Sequence, residues 1–296
     1  MASSLKDTSD ALAAAVEAAG KSTVTVSARR GRPASGIVWD KGVVLTSSHA
    51  IENEDEITVD DGDKEHKATL VGRDAASDLA VLRVDGLGAA PASRGGTTRV
   101  GELVLAVGRA PDLRATLGVV GATTSRQRGW RGGGMDGLLL TDARLYQGFS
   151  GGPLVNAAGE VVGVNSWYYG AEDTKALPVA VAERVAQSLL AHGKVKQPYL
   201  GIGTQPVYLP DDVRSKVGQD TGLMVINVEA GSPAAGAGVM QGDTLVGIDD
   251  TPVTGMRELF SALRGVEVGS EHTLKVVRAG AATDVKVKVG EREPQD

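Results

Sequence analysis

Residues 147–154 read Gln147-Gly148-Phe149-Ser150-Gly151-Gly152-Pro153-Leu154, and the fold turns on this run. A serine that attacks a carbonyl needs an exposed hydroxyl and backbone N–H groups aimed at the oxyanion that forms. Glycines on both sides let the chain turn tightly enough to present both. Gly148 and Ser150 supply the two N–H groups in this reading, and Gly151 and Gly152 keep side chains out of the way of a bound chain.

A serine nucleophile needs a base, and the base needs an orienting acid. Four histidines occur in the chain, and one follows an apolar, β-branched run that stops at a corner: Gly42-Val43-Val44-Leu45-Thr46-Ser47-Ser48-His49-Ala50. Further on, Ser77-Asp78-Leu79-Ala80-Val81-Leu82-Arg83-Val84 sets an acid at the mouth of another strand-like run. The order His49, Asp78, Ser150 is that of the chymotrypsin-type enzymes, not of subtilisin or the α/β-hydrolases.

With these residues in view, residues 22–190 resemble the trypsin-like domain of the HtrA (Deg) family, and the remainder resembles the PDZ domain that follows it there. The resemblance covers nearly the whole chain. It implies His49 as general base, Asp78 as its orienting partner, Ser150 as nucleophile, and an oxyanion hole from the N–H groups of Gly148 and Ser150. Tyr199-Leu200-Gly201-Ile202 resembles the loop with which PDZ domains cradle a peptide's terminal carboxylate, the peptide adding as a strand to the sheet edge. Gly222-Leu223-Met224-Val225, then Gly231-Ser232-Pro233-Ala234, then Gly242-Asp243-Thr244-Leu245 continue the PDZ pattern, and residues 256–263 are expected as the groove-lining helix.

The implied architecture is mainly β: a chymotrypsin-like double β-barrel followed by a small α+β PDZ domain. The expected division is an N-terminal helical segment at 1–21, the protease domain at 22–190, a linker at 191–197, the PDZ domain at 198–291 and a tail at 292–296. Periodicity places short strands at 24–26, 35–39, 42–45, 57–59, 67–71 and 79–84 for a first barrel. A second group falls at 103–107, 115–123, 138–141, 152–156 and 161–167, followed by an amphipathic helix at 180–190. Residues 9–19 read as a short capped helix ending at Gly20.

Composition narrows the rest. At 296 residues the chain is long enough for two cores, and its 40 glycines suit a turn-rich β architecture. The absence of cysteine rules out a disulfide framework and a thiolate zinc site. No His/Asp/Glu group has metal-ligand spacing, so neither metal nor cofactor is expected. His66, His192 and His272 are read as solvated surface groups. The net charge of −6 argues against a nucleic-acid partner. The basic run Arg126-Gln127-Arg128-Gly129-Trp130-Arg131 is read as a mobile loop between strands. No apolar run reaches transmembrane length and the start has no signal-peptide pattern. A cytoplasmic protein is expected for the chain as given, or a periplasmic or extracellular one if a leader has been removed.

Departures from the family pattern shape further expectations. Trypsin-type zymogens carry an aspartate just before the catalytic serine, where it pairs with a newly cut N-terminus. Phe149 has no charge to offer there, so it has to order the turn by packing. Arg144 is read either as a pocket-floor cation or as a solvent-facing arginine. Leu145, Asn165, Ser166 and Trp167 are expected to wall the specificity pocket and to favour small or medium apolar residues. HtrA-type trimers are held by aromatic residues near the N-terminus, and residues 1–38 contain none. A homo-oligomer, a trimer by resemblance, is still expected. The activity implied is an ATP-independent endopeptidase acting on unfolded polypeptides, with the PDZ domain binding peptide C-termini. The alternative is a catalytically silent, PDZ-bearing peptide-binding or chaperone-like protein with a collapsed oxyanion loop.

Overall fold

Two closed six-stranded barrels make up the first of two compact units, residues 1–195, in the computed structural model; the second unit is residues 196–296. The structure describes residues 4–124, 126–128, 134–169, 174–196, 198–263 and 266–292. Helix α1 (Leu5–Gly20) opens the first unit. Its true cap is Ser4, which forms a capping box with Asp7, so the helix starts earlier than the expected residue 9.

The first barrel comprises β1 (Thr23–Ser27), β2 (Ala34–Asp40), β3 (Val43–Ser47), β4 (Ile57–Asp60), β5 (Glu65–Asp74) and β6 (Leu79–Val84), in the spatial order 1-2-3-6-5-4. All five residues of β3 are buried because its two faces meet different cores. Val44 points into the barrel interior, with Val24, Val38 and Leu82. Val43 and Leu45 join a second cluster that also holds Val107 and Val155 of the second barrel and Leu189 of the C-terminal helix of this unit.

The second barrel contains β7 (Leu103–Arg109), β8 (Leu113–Thr123), β11 (Leu139–Thr141), β12 (Pro153–Asn156), β13 (Val161–Ser166) and β14 (Thr174–Pro178), in the order 11-14-13-12-7-8. The short β9 (Arg126–Arg128) and β10 (Gly134–Asp136) pair as a separate two-stranded ribbon. The basic segment expected as a loop therefore contributes a ribbon arm at Arg126–Arg128, while Trp130 and Arg131 lie outside the described residues. Helix α2 (Val179–His192) packs its Ala182, Ala186 and Leu189 face inward and ends at left-handed Gly193.

The second unit is built from β15 (Pro198–Tyr199), β16 (Ile202–Tyr208), α3 (Asp211–Val217), β17 (Thr221–Val228), α4 (Pro233–Gly236), β18 (Thr244–Ile248), β19 (Thr251–Pro252), α5 (Met256–Leu263), β20 (Glu271–Arg278), β21 (Ala281–Lys288) and β22 (Gly290–Glu291). Its main sheet runs β16-β17-β18-β20-β21, which leaves β16 as an edge strand, over a core that includes Leu223, Val225, Leu245 and Val287.

Two histidines contradict the expectation of solvated groups. His66 lies on the inward phase of β5 and is buried, its Nε2 3.0 Å from Asp61 Oδ2. His272 on β20 bridges Asp249 Oδ2 at 2.7 Å and Ser270 Oγ at 2.8 Å.

Candidate active site

Strand register brings Asp78 to His49. In the β3–β6 pairing Ser47 faces Leu79, so the next residues outward, Ser48-His49 on one strand and Asp78 on the other, meet at the same barrel edge. A short 3-10 turn over Ser48–Ala50 then turns His49 back toward the acid. Asp78 adopts a left-handed conformation, φ 50°, and its carbonyl accepts the Ser48 N–H at 2.9 Å. Its carboxylate lies 2.8 and 3.0 Å from His49 Nδ1 and accepts the His49 backbone N–H at 2.9 Å.

Asp78 is almost wholly buried, and a buried carboxylate is tolerable only when its lone pairs are filled. The remaining partner comes from the second barrel: the Ser166 hydroxyl donates to Asp78 Oδ2. Below it, the buried Tyr169 phenol donates to the Ser77 carbonyl at 2.6 Å. Burial, reinforced by the charges of Asp78 and Asp74, holds that phenol well above its ordinary pKa, so it remains a donor. The Tyr168 ring stacks over His49 at 6.4 Å between centroids.

Ser150 sits in the turn that enters β12. Because Pro153 pairs with Val164, the turn lies against Asn165 of β13: the Gly151 N–H donates to the Asn165 carbonyl at 2.8 Å and the Asn165 N–H returns to the Gly152 carbonyl at 2.9 Å. Gly151 has φ 83°, and a Cβ there would lie 2.3 Å from the Ser35 carbonyl oxygen, so only glycine fits. Among the described residues the N–H groups of Gly148 and Ser150 donate to no protein acceptor, whereas that of Phe149 between them donates to the Tyr146 carbonyl at 3.0 Å. Two free donors, one of them the serine's own N–H, are what a developing oxyanion needs. The Ser150 hydroxyl accepts the Trp167 N–H at 3.3 Å, and no hydrogen bond joins it to His49 among the described residues.

The expected pocket residues diverge. Leu145 is buried in the interior of the second barrel beside Phe149, and the Asn165 side chain turns inward to donate to the Pro153 carbonyl at 2.8 Å. Ser166 is engaged by Asp78, and Trp167 is half exposed beside Ser150. Arg144 is exposed, its guanidinium 5.2 Å from the centre of the Tyr146 ring, which overturns the pocket-floor alternative.

In the second unit, Tyr199 pairs with Gly290, and the next residues form a tight loop. Gly201 has φ 79°, and a Cβ there would lie 2.1 Å from the Ser232 Cβ. The carbonyls of Leu200 and Gly201 are taken by the N–H groups of Ala234 and Glu229, both at 2.9 Å. The N–H groups of Leu200 and Gly201 find no protein acceptor among the described residues. The loop leads into Ile202 at the start of the open edge strand β16, and Met256 of α5 approaches Thr204 from across the groove.

Comparison with known proteins gives the same picture. Residues 34–164 match the trypsin-like peptidase domain, and residues 198–289 match the PDZ domain. A probable periplasmic serine endoprotease, DegP-like, from Pseudomonas savastanoi pv. phaseolicola is 36% identical over 267 residues, covering 86% of this chain and 54% of that protein. The serine endoprotease DegS of Escherichia coli strain K12 is 30% identical over 273 residues, covering 87% of this chain and 76% of DegS. This chain belongs to the HtrA (Deg) family. Among solved structures, the HtrA-type protease AlgW with decapeptide superposes with TM-score 0.80 at 26% identity, over 96% of this chain and 99% of that one. The serine endoprotease from Yersinia pestis superposes with TM-score 0.77 at 28% identity, over 99% and 100%. The chain spans about half the length of the DegP-like relatives it matches.

Within this HtrA-type site, sequence reasoning missed two supports. The pocket-wall reading of Ser166 overlooks that it directly follows Asn165 on the strand that faces the serine turn. Tyr169 gave no signal, since its partner is the backbone of a residue 92 positions away. Among the described residues no cluster of three or more His, Asp or Glu side chains could hold a metal, and no helix is long and apolar enough to cross a membrane.

Proposed function

We propose that this chain is an ATP-independent serine endopeptidase that cleaves unfolded or misfolded polypeptides, with His49, Asp78 and Ser150 as its triad. The observation that carries this reading is the buried Asp78 carboxylate gripping both the ring and the backbone of His49, at a barrel edge facing a glycine-turned serine. That grip fixes the ring tautomer with its proton on Nδ1 and leaves Nε2 as the base. Ser150 Oγ then attacks the scissile carbonyl while His49 takes its proton. The Gly148 and Ser150 N–H groups receive the oxyanion, and His49 returns the proton to the leaving amine. Water repeats the sequence on the acyl-enzyme. Peptide hydrolysis runs downhill, so no nucleotide is needed to drive it.

The free N–H groups of the Leu200-Gly201 loop and the open edge of β16 suit a peptide C-terminus added as a strand. Such binding delivers substrate or biases the protease loops in this proposal. The DegP-like relatives are named as periplasmic, and the same compartment is proposed for this chain. Assembly as a trimer is proposed on family grounds alone, and sedimentation velocity decides it.

One observation favours the silent alternative: the Ser150 hydroxyl is engaged by the Trp167 N–H rather than presented to His49. Labelling with a fluorophosphonate probe, with and without casein, separates the two. Label on the wild type and none on Ser150→Ala establishes an activated serine, and triad substitutions are then expected to cost about 10⁴–10⁶ in turnover. A wild type that fails to label under both conditions is a binding protein instead.

A further inference from the structure

Ser35 occupies an unusual position for a residue of the first barrel. It lies on β2, fully buried, yet its polar atoms are directed at the serine turn of the second barrel. Its N–H donates to the Ser150 carbonyl at 3.0 Å. Its hydroxyl donates to the Gly148 carbonyl at 2.6 Å. One residue therefore holds the carbonyls on both sides of Phe149, and these belong to the two residues whose N–H groups face the oxyanion.

The hydroxyl is itself held. The Arg109 N–H donates to Ser35 Oγ at 2.8 Å, and of the two carbonyls the hydroxyl reaches, Gly148 at 2.6 Å is far closer than Arg109 at 3.4 Å. Thr46 Oγ1 donates to the Ser35 carbonyl at 2.7 Å and fixes the strand behind it. Arg109 is anchored by its guanidinium, which donates to the Thr23 carbonyl at 2.8 Å and to the Gly20 carbonyl, at the end of α1, at 3.0 Å. A cation at a helix C-terminus satisfies carbonyls that the helix leaves without partners.

Gly148 is where such a hold matters. At φ 92° it occupies a region open to glycine, and with no Cβ it can rotate its peptide planes at little steric cost. The plane between Gly148 and Phe149 is pinned at both ends, its oxygen by Ser35 and its N–H by Tyr146. The Gly148 N–H lies in the preceding plane and hinges on this one through the Gly148 Cα, so removing the first pin frees the φ and ψ that set its direction.

Resting on the endopeptidase reading above, we infer that Ser35 is a positioning residue: held by Arg109, its hydroxyl clamps the Gly148 carbonyl and so aims the oxyanion donors. The test compares wild type with Ser35→Ala for cleavage of a fluorogenic peptide and for inhibition by a peptide aldehyde, whose hemiacetal with Ser150 puts an oxygen in the oxyanion position. Loss of one oxyanion donor costs about 10²–10³ in turnover, so a misaimed donor is expected to cost about 10- to 100-fold in kcat. KM stays within about threefold, and aldehyde affinity falls in step with kcat, because the lost interaction is made only in the transition state. If the alanine protein does not fold, Ser35→Cys keeps the volume with a weaker donor and shows a smaller loss with the same split. Wild-type kcat and aldehyde inhibition in a folded variant, or a loss confined to KM, overturns the inference. A wild type that neither cleaves nor binds the aldehyde overturns the endopeptidase reading itself, and this inference with it.

Discussion

Replacing Phe149 by asparagine tests whether packing does the work that an ion pair does in trypsin-type zymogens. Phe149 is among the most deeply buried side chains of the chain. It lies in the interior of the second barrel with Val104, Ala106, Leu145 and Leu154, and Tyr146 meets it edge-on at 5.9 Å. Its slot is cut for it: a Cβ on Gly108 would lie 2.7 Å from the Phe149 ring. Withdrawing a fully buried aromatic loses about 1.5–3 kcal/mol of transfer free energy. The amide that replaces it lands among apolar neighbours, and a buried polar group without a partner costs about 1–3 kcal/mol more. The sum, about 2.5–6 kcal/mol, is a large share of the roughly 5–15 kcal/mol that holds a typical domain together. At roughly 2–4 °C per kcal/mol for a unit of this size, Phe149→Asn is expected to lower the melting temperature by about 10 °C.

Calorimetry in a Ser150→Ala background measures that drop without self-cleavage. Phe149→Leu serves as the control, since an apolar swap usually costs less than about 1.5–2 kcal/mol beyond lost volume. In the active background, the rate of fluorophosphonate labelling reports whether the loosened turn still aims its N–H groups. A Phe149→Asn protein with wild-type melting and wild-type labelling refutes the idea that this ring orders the oxyanion turn.

Two further outcomes follow from other parts of the molecule. Gly201→Ala forces a Cβ into the Ser232 Cβ at a left-handed φ, so the affinity for peptides with a free C-terminal carboxylate, read by fluorescence polarisation, is expected to fall at least about tenfold, while the rate of probe labelling at Ser150 without peptide is unchanged. Asp61 is held down to about 2 from 3.8: burial alone raises it, but the N–H groups of Lys64, Asp63 and Gly88 and the His66 ring outweigh that effect. Because the folded value is depressed, its contribution of about 2 kcal/mol is present above pH 4 and lost as pH falls toward 2, so urea midpoints of the wild type drop across that window more steeply than those of Asp61→Asn.

How much of this was legible in the sequence depends on how far apart the partners lie. Eleven of the twelve barrel strands show as apolar or alternating runs, and His49 and Asp78 stand at the ends of two of them. The missed strand, Thr174–Pro178, carries a lysine and ends in proline, so its two buried residues, Ala176 and Leu177 on opposite faces, fall below any periodic signal. His66 looks solvated in the sequence because Glu65 and Lys67 flank it, although the exposed–buried alternation of β5 puts it on the same inward phase as Ala68. The period of two along a strand carries that signal. The Ser35 contact leaves no such signal: its partner lies 113 residues away, and serine in a strand carries no mark of what it will bond.

The same distance explains why the two barrels act as one site. Each barrel interior is closed by its own apolar residues, and a third apolar cluster is shared between the barrels. The polar groups cross over. Ser166 of the second barrel completes the shell of Asp78 in the first, and Ser35 of the first barrel holds the turn of Ser150 in the second. Hydrogen bonds of this kind contribute about 1–3 kcal/mol each to stability, far less than the apolar cores. Their effect is directional: they fix which way a carboxylate, an imidazole and two N–H groups point. A substitution at either crossing is therefore expected to lower turnover by more than its effect on melting suggests, whereas a cavity in either core does the reverse. Rates that fell only in proportion to stability across both classes would mean that the crossings merely pack the barrels together.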